Sequence, residues 1–322
     1  MSSKPLNVVV IGGGHGQSVI LRGIKFIPDI HISAIVTVAD DGGSTGRLRR
    51  QYHIPAMGDI RAVLIALAES ETLLKDLMEY RFEKPDEEEE EQDVAGHNLG
   101  NLILTALTQS CGSFMESVSI LSKILNVRGD IIPATTQVIT LFARMADGTI
   151  VRGESNIPDR NNRIDTVFYQ EKVVASEKAV KAIEEADIII YGIGSIFTSI
   201  LPNLIIPEIK EAIHKTRARG IYLCNAMTQA GETDDFTLED HVEALERHGA
   251  RIDEVWKASD PIPEEILQRY ADEDEQPVVM KNQEHDYYVI TESLLDFSQN
   301  VVRHDADKIR KCLRKRLSEM GE

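Results

Sequence analysis

Two glycine-rich loops have the residue types and spacing that suit a phosphate ligand. Gly12-Gly13-Gly14-His15-Gly16 follows one apolar run, and the loop from 192 to 199 follows another. Glycines let backbone N–H groups approach an anion where a strand turns into a helix. Gln17 stands at the third glycine position of G-x-G-x-x-G, so the standard dinucleotide fingerprint fails. We predict phosphate-contacting turns here, the alternative being tight strand-to-helix turns without a ligand.

The second loop combines flexible backbone with hydroxyl groups. Gly194 is followed by Ser195, Thr198 and Ser199, which gives three hydroxyl donors after a buried strand. Such a loop can wrap a diphosphate without a lysine, although it also suits an ordinary capped helix start. Both glycine loops end similar strands, so we predict that one ligand bridges them.

Three aspartates are candidate ligand contacts. Asp40 and Asp41 end a second apolar run and are flanked by glycines, and Asp59 lies next to a potential charge partner, Arg61. These carboxylates can bind ribose hydroxyls, hold Mg²⁺ against a phosphate or act as a general base. If the protein is an enzyme, Asp40 and Asp41 are the predicted catalytic residues. We predict no set of metal ligands.

Amides and other polar side chains form a further candidate set. Asn98 and Asn101 lie at the start of an apolar helix, where an N-cap is the alternative for Asn98. Asn225 and Thr228 follow a buried strand, and amides of this kind read base edges or sugar hydroxyls. His15, within the first glycine loop, is a candidate nucleotide contact, although a structural histidine is more common at such a position than a proton carrier.

The elements that position these residues follow an α/β pattern. Leu6 to Ile11 and 32 to 38 are continuous apolar runs, typical of strands buried on both faces of a parallel sheet, with a helix predicted at 18–26 between them. The same alternation of predicted helices and apolar strands recurs from 177 to 256. We predict a three-layer, Rossmann-like, mostly parallel sheet, with further short strands at 278–280 and 287–290.

Three segments depart from that pattern. Hairpin signals around Asp147-Gly148 predict an antiparallel addition between 130 and 170. The run at 83–96 is predicted to be an acidic mobile loop, since it holds seven consecutive or near-consecutive carboxylates from Asp86 to Asp93. The basic segment 305–322 is predicted to be a terminal helix that docks on the protein, the alternative being a membrane-surface or partner-binding helix.

Composition narrows the function classes. The 322 residues carry a net charge of −18, and 42% are apolar, which suits one α/β domain spanning 1–322. An acidic chain without an extended basic face argues against nucleic-acid binding. The three cysteines form no C-x-x-C pair, and no apolar run reaches the length of a membrane span. We therefore expect a cytoplasmic protein without membrane insertion.

Six motifs, in this order, resemble the YvcK/CofD-like family across about residues 7–303. The motifs are Gly-Gly-Gly-His-Gly at 12–16, Ala-Asp-Asp-Gly-Gly-Ser-Thr-Gly-Arg at 39–47, Gly-Asp-Ile-Arg at 58–61, His-Asn-Leu-Gly-Asn at 97–101, Gly-x-Gly-Ser-x-x-Thr-Ser at 192–199 and Cys-Asn-x-Met-Thr-Gln at 224–229. The YvcK branch, the gluconeogenesis factors, is the more similar one. The CofD branch transfers 2-phospho-lactate from a nucleotide diphosphate carrier to a deazaflavin.

The resemblance implies a Rossmann-like fold with a nucleotide site built from these loops. For the YvcK branch it implies binding of UDP-N-acetylglucosamine and a role in cell shape and cell-wall precursor supply on gluconeogenic carbon. It carries nucleotide contacts onto the first glycine loop, Asp40, Asp41, Asn98, Gly194, Ser195 and Asn225. Tyr270, which can stack on a base, and Arg303, which can reach phosphate, are added to that set.

Three functional hypotheses remain open at this stage. The first is a sensor in which UDP-sugar occupancy changes contact with a partner, such as a cytoplasmic enzyme of amino-sugar synthesis, or with further copies of the chain. The second is a transferase in which Asp40 or Asp41 with Mg²⁺ activates an acceptor. The third is a nicotinamide-dependent enzyme, which Gln17 disfavours, although NAD can still occupy such a cleft.

Overall fold

The computed structural model describes residues 4–69, 72–83, 94–158, 162–282 and 284–320. Within them, strands and helices alternate through most of the chain. The strands are β1 (Leu6–Gly12), β2 (Ile30–Val36), β3 (Asp130–Pro133), β4 (Phe142–Met145), β5 (Ile150–Arg152), β6 (Ile164–Phe168), β7 (Ile188–Tyr191), β8 (Arg219–Leu223), β9 (Glu254–Ala258), β10 (Tyr288–Glu292), β11 (Leu295–Asp296) and β12 (Arg303–His304).

The helices carry the connections between these strands. They are α1 (Gly14–Ile24), α2 (Gly43–Tyr52), α3 (Gly58–Leu67), α4 (Thr72–Glu79), α5 (Leu99–Cys111), α6 (Phe114–Ile124), α7 (Glu177–Glu184), α8 (Leu201–Leu204), α9 (Pro207–Lys215), α10 (Leu238–His248), α11 (Glu264–Ala271) and α12 (Ala306–Met320). A 3₁₀ turn spans Glu154–Asn156, and a π-helical turn spans Ile196–Ile200.

The central sheet has seven strands in the order β10-β9-β8-β7-β1-β2-β3, and every neighbouring pair is parallel. Val8 to Ile11 of β1 are almost completely buried, as expected for a strand covered on both faces. The chain moves outward through β2 and β3 and then returns to the other side of β1 through β7. The strand order therefore reverses between β1 and β7, as in a doubly wound nucleotide-binding sheet. The predicted α/β fold is confirmed.

Two sets of helices cover the sheet. α1 packs on α3 and α12, and α7 packs on α9. Because parallel crossovers are right-handed and the two halves of the sheet are wound in opposite directions from the switch point, their connecting helices lie on opposite faces. Both faces of the central strands are thereby removed from water.

The middle of the chain adds a separate antiparallel sheet in the order β5-β4-β6. Its hairpin turns at Asp147-Gly148, where Gly148 has a φ of +87°. The segment Asp130–Pro133, at the start of the range predicted to be antiparallel, pairs in parallel with β2 instead. Ile131 and Ile132 are buried there, so this segment completes the edge of the main sheet.

Several boundaries differ from the sequence predictions. α1 begins at Gly14 instead of Ser18, because the helix starts within the glycine loop. The strand predicted at 278–280 is wrong: these residues lie outside the strands and are held by backbone bonds such as Val278 N–H to the Ala226 oxygen. Of the predicted acidic loop, residues 84–93 lie outside the described residues.

The basic terminal helix α12 docks on α1, and its cations are partly engaged by the protein's own carboxylates. Arg316 and Arg219 both pair with Glu254, whose side chain is fully buried. Lys308 pairs with Asp260 at 2.9 Å. Removing one partner of such a buried pair leaves an uncompensated charge. In the part of the chain that the structure describes, no helix has both the length and the apolar character of a membrane span.

Candidate functional site

The two glycine loops meet at the switch point of the sheet. β1 pairs with β7 from Val8 opposite Ile188 to Ile11 opposite Tyr191, so both loops leave the sheet at the same edge. A Cβ atom at Gly16 would overlap the carbonyl oxygen of Ile193. This close approach requires a residue without a side chain. The crevice beyond the carboxyl ends of the strands is where ligands bind in open α/β sheets.

The first loop presents an uncapped helix start. Gly13 is the N-cap of α1 and has no side chain to accept from the first helical N–H groups. Gly14 has a φ of +56°, a conformation that favours glycine. The N–H groups of the first turn have no partner within an α-helix. They are the donors that such a loop offers to an anion.

Gln17, which interrupts the dinucleotide fingerprint, has a structural role. Its side chain is completely buried, and its Nε2 donates to the carbonyl oxygens of Val10, at 2.9 Å, and Ile35, at 3.0 Å. The amide therefore ties α1 to both β1 and β2. A third glycine normally permits close helix-to-strand packing at this position. Here a buried hydrogen-bonded side chain does so instead.

The hydroxyl groups of the second loop are engaged within the protein. Ser195 Oγ donates to Glu232 and accepts from the backbone N–H of Thr198 at 3.0 Å, and Thr198 Oγ1 donates to Ser195 Oγ at 2.7 Å. Asn225 Nδ2 donates to the Gly194 oxygen at 2.9 Å. The sequence predicts Ser195 and Thr198 as hydroxyl donors to a ligand; in the structure their hydroxyl groups donate to Glu232 and to Ser195 Oγ, respectively.

Asn203 joins the two loops from below. It is fully buried, and its Nδ2 donates to the carbonyl oxygen of Gly12 at 3.1 Å and to that of Ser199 at 2.9 Å. One amide therefore links the end of β1 to the π-helical turn that follows the second glycine loop. The Oδ1 of Asn203 has no hydrogen-bond partner among the residues that the structure describes.

Asp59 lies directly behind the first glycine loop. A Cβ atom on Gly13 would overlap Asp59 Oδ2 and approach Thr37 Cγ2 to 2.7 Å, and one on Gly14 would lie 3.2 Å from Asp59 Oδ1. Burial, with a smaller contribution from the charge of Asp40, raises the pKa of Asp59 to about 7. The carboxyl group is therefore partly protonated at neutral pH.

Asp40 and Asp41 diverge from the end of β2. Asp40 accepts from the Gly42 N–H at 2.9 Å, and burial raises the pKa of its carboxyl group. Asp41 accepts instead from the Ser155 N–H at 3.0 Å and faces Gly153, where a Cβ atom would come within 2.7 Å. The charge of Asp40 therefore acts on Asp59, whereas the side chain of Asp41 contacts the antiparallel addition.

Residues 153–158 of the antiparallel addition cross the carboxyl ends of the main-sheet strands. At one end it receives Asp41, and at the other the Pro158 carbonyl lies against Gly231. Glu154 lies between these contacts. Burial first, and then the charges of Asp40, Asp59, Asp41 and Glu232, raise its pKa to about 8. The segment therefore adds the Glu154 carboxyl group to a cluster of acidic side chains, here called the acidic surround, which also contains Asp40, Asp41, Asp59 and Glu232.

A groove of about 560 Å³ opens beside the joined loops, between α1 and the start of α12. His15, Gly16 and Ile193 line one wall, and Arg303 and His304 line the other. His304 is buried, and its Nε2 has no hydrogen-bond partner within the described part of the chain. Burial lowers its pKa to about 4, which keeps the imidazole neutral. Arg303 is exposed, with Nη1 bonded to Gln299 at 2.9 Å.

Four predicted residues lie in supporting positions around this centre. Asn98 is the N-cap of α5 and also donates to the Glu79 oxygen, while Asn101 accepts from Arg61 at 3.0 Å. Thr228 Oγ1 accepts from Gln276 N–H at 2.9 Å, and Tyr270 accepts from Val302 N–H at 3.0 Å. Asn98, Asn101 and Thr228 are each 2% exposed. Their polar atoms stabilise neighbouring segments.

No metal site is apparent among the residues that the structure describes. No three His, Cys, Asp or Glu side chains there come together in a way that could hold a metal ion. Asp40 and Asp41, the residues considered for Mg²⁺, each accept a backbone N–H instead.

Glu232, Glu154 and Gln17 were not predicted as site residues. Glu232 and Glu154 come from loops after β8 and β5, and only the folded chain brings them to the switch point. The available sequence signal was an acidic cluster shortly after Thr228, in which Glu232 precedes Asp234 and Asp235. For Gln17, the sequence showed only that it replaces the third glycine of the dinucleotide fingerprint.

Comparison with known proteins yields consistent matches. The family model described as 2-phospho-L-lactate transferase CofD matches residues 8–295. The chain is 45% identical over 319 residues to the gluconeogenesis factor of Bacillus subtilis, covering 97% of this chain and 98% of that one. It is 44% identical to the gluconeogenesis factor of Halalkalibacterium halodurans, with 96% of each chain covered.

A solved structure agrees with these matches. The crystal structure of a UPF0052 family member from Bacillus halodurans superposes with a TM-score of 0.89 at 43% sequence identity. The match covers 95% of this chain and 99% of that one.

Proposed function

This chain belongs to the YvcK/CofD-like family, and from that premise we propose that it is a regulatory protein that binds a nucleotide sugar of the UDP-N-acetylglucosamine type. The relatives named gluconeogenesis factors support a role on gluconeogenic carbon. In this proposal the protein supports cell shape and the supply of cell-wall precursors. Ligand occupancy changes its contact with a cytoplasmic enzyme of amino-sugar synthesis.

The observation that carries the proposal is the junction of the two glycine loops at Gly16 and Ile193. It supports a single diphosphate cradle formed by the uncapped start of α1 and the backbone of the 192–199 loop. Arg303, which lines the adjoining groove together with Arg22, is the candidate cation for the phosphates. The sugar and base would extend along the groove.

The acidic surround supports a ligand rich in hydroxyl groups. Asp40, Asp59 and Glu154 have raised pKa values, and carboxyl groups accept hydrogen bonds from sugar hydroxyls. Binding through backbone, amide and carboxyl groups needs no proton transfer to the ligand. This is why regulation, with the ligand released unchanged, is the first proposal.

A second candidate is a nucleotide-diphosphate-dependent transferase of the 2-phospho-lactate type. The family model's description favours it, and Asp40 and Asp41 are its candidate catalytic residues. A turnover assay of bound nucleotide, with Asp41→Asn as the control, separates the two. Consumption of nucleotide by the unaltered protein, lost in Asp41→Asn, would establish the transferase and exclude pure regulation.

Calorimetry tests the ligand class. We expect UDP-N-acetylglucosamine to bind more tightly than GDP or NAD. Failure to bind any UDP-sugar would end the regulatory proposal, whereas preferential binding of NAD would support a dinucleotide in the cleft.

A further inference from the structure

Glu232 is a buried carboxyl group that joins the loop after β8 to the loop after β7. Its side chain is 2% exposed. Oε2 accepts from Ser195 Oγ, and Oε1 accepts from Gln229 Nε2 at 3.1 Å and lies 3.4 Å from Thr198 Oγ1. Hydroxyl and amide donors of the described residues thus supply the hydrogen bonds that a buried carboxylate needs.

Two acidic groups among the described residues act electrostatically on Glu232. Asp234, on its own loop, and Glu154, on the segment that crosses the sheet edge, both interact with it electrostatically. Burial is the largest cause that raises the pKa of Glu232, to about 7, while the bonds from Ser195, Thr198 and the Phe197 backbone oppose the rise. A nearby anionic ligand would disfavour the ionised form further.

The protonation state of Glu232 decides where the Ser195 hydroxyl points. An ionised carboxylate can only accept, so the Ser195 hydrogen is directed at Glu232. Ser195 Oγ meanwhile accepts from the Thr198 N–H and the Thr198 hydroxyl. In this state Ser195 has no hydrogen to offer a phosphate.

A protonated Glu232 reverses this arrangement. Its O–H donates to Ser195 Oγ, the Thr198 hydroxyl turns to the other carboxyl oxygen, which is already within 3.4 Å, and the Ser195 hydrogen is released. One proton comes from solvent and stays on Glu232, and no covalent bond other than that O–H bond changes. The loop then gains a donor and loses a negative charge.

We propose that Glu232 is a positioning residue that takes up a proton when an anionic diphosphate binds, and thereby turns the Ser195 hydroxyl toward the ligand. The inference rests on the proposed function, since it concerns the same loop. Its consequence is that binding and proton uptake are linked. Affinity falls as pH rises above 7, by up to about tenfold per pH unit.

The test is calorimetric titration with UDP-N-acetylglucosamine at pH 8 in two buffers of different ionisation enthalpy, which measures protons taken up per ligand. We expect Glu232→Gln to reduce that uptake by about half a proton or more, because glutamine does not titrate. Glu246→Gln, on α10, is the control, since Glu246 is an exposed carboxyl group whose pKa is raised by partial desolvation and by Asp286, not by a group of this loop. It should leave the uptake unchanged.

A second variant tests the hydroxyl itself. Ser195→Ala should lower affinity more at pH 6 than at pH 8, because only protonated Glu232 releases the hydroxyl. This comparison remains decisive if Glu232→Gln does not fold.

Equal proton uptake by the unaltered protein and Glu232→Gln, or an equal loss at both pH values in Ser195→Ala, would overturn the inference while UDP-sugar binding stands. Absence of UDP-sugar binding by the unaltered protein would overturn the proposed function, and the inference with it.

Discussion

Gly16 and Ile193 are in contact across the switch point, although they lie 177 positions apart in the sequence. The Ile193 carbonyl oxygen occupies the space that a Cβ atom at position 16 would need. The two loops can therefore form one cradle only with glycine at this position.

Substituting Gly16 tests the junction. Gly16→Ala should weaken UDP-N-acetylglucosamine binding at least about tenfold and destabilise the protein by roughly 1–3 kcal/mol, because the methyl group displaces the Ile193 backbone. Gly12→Ala is the matched control, since its Cβ would make only ordinary contacts with Gln17, at 3.5 Å or more. Calorimetry and denaturant unfolding measure both effects; similar results for the two variants would refute the explanation.

Arg303 should contribute to affinity without contributing to stability. Its side chain is exposed beside the groove, so Arg303→Ala should reduce UDP-sugar affinity about tenfold or more and leave the melting temperature unchanged. Arg314→Ala, an exposed change on α12, should not alter binding. Unchanged affinity in Arg303→Ala would remove the groove from the proposed site.

Asn225 should link ligand binding to thermal stability. A ligand that binds only the native state raises the melting temperature by mass action. Asn225 Nδ2 holds the Gly194 carbonyl at 2.9 Å, so Asn225→Ala should lose most of the rise that UDP-N-acetylglucosamine produces. A thermal scan with and without ligand measures this. A full rise in the variant would show that Asn225 is dispensable.

Gln17 should stabilise the fold independently of ligand. Gln17→Met keeps the size of the side chain but removes the donor to the Val10 and Ile35 oxygens, and we expect a loss of about 1–3 kcal/mol in the free energy of unfolding. Ser18→Ala, which removes only a bond within α1 to Gly14, should cost less. Denaturant unfolding compares the two, and a smaller loss for Gln17→Met would contradict this role.

Stability should fall as pH rises from 6.5 to 8.5. The pKa values of Asp59, Glu154 and Glu232 are raised in the folded protein to about 7 or 8, so the native state binds more protons than the unfolded state in this range. Each group contributes at most about 1.4 kcal/mol per pH unit. His304 has a lowered pKa and destabilises the fold only as pH falls below about 6.5.

Unfolding in urea across that pH range measures the slope. Glu154→Gln should make it shallower, because glutamine has no proton to lose. A slope of the opposite sign in the unaltered protein would show that these carboxyl groups do not hold their raised pKa values.

The sequence by itself determined where the buried strands and the glycine loops lie along the chain. Continuous apolar runs such as Leu6 to Ile11 specify strands buried on both faces, and the glycines after them specify loops that a backbone can approach closely. The six ordered motifs also identified the family. These features depend on local residue pattern, which is why they were predicted.

Only the tertiary structure decided which groups face one another. The pairing of β7 with β1 joined Gly16 to Ile193, and the antiparallel addition carried Glu154 to a carboxyl surround. Ser195, which the sequence predicts as a nucleotide contact, also donates a hydrogen bond to Glu232 in the folded chain. Hydrogen-bond direction and burial depend on contacts between distant segments, and no local pattern encodes them.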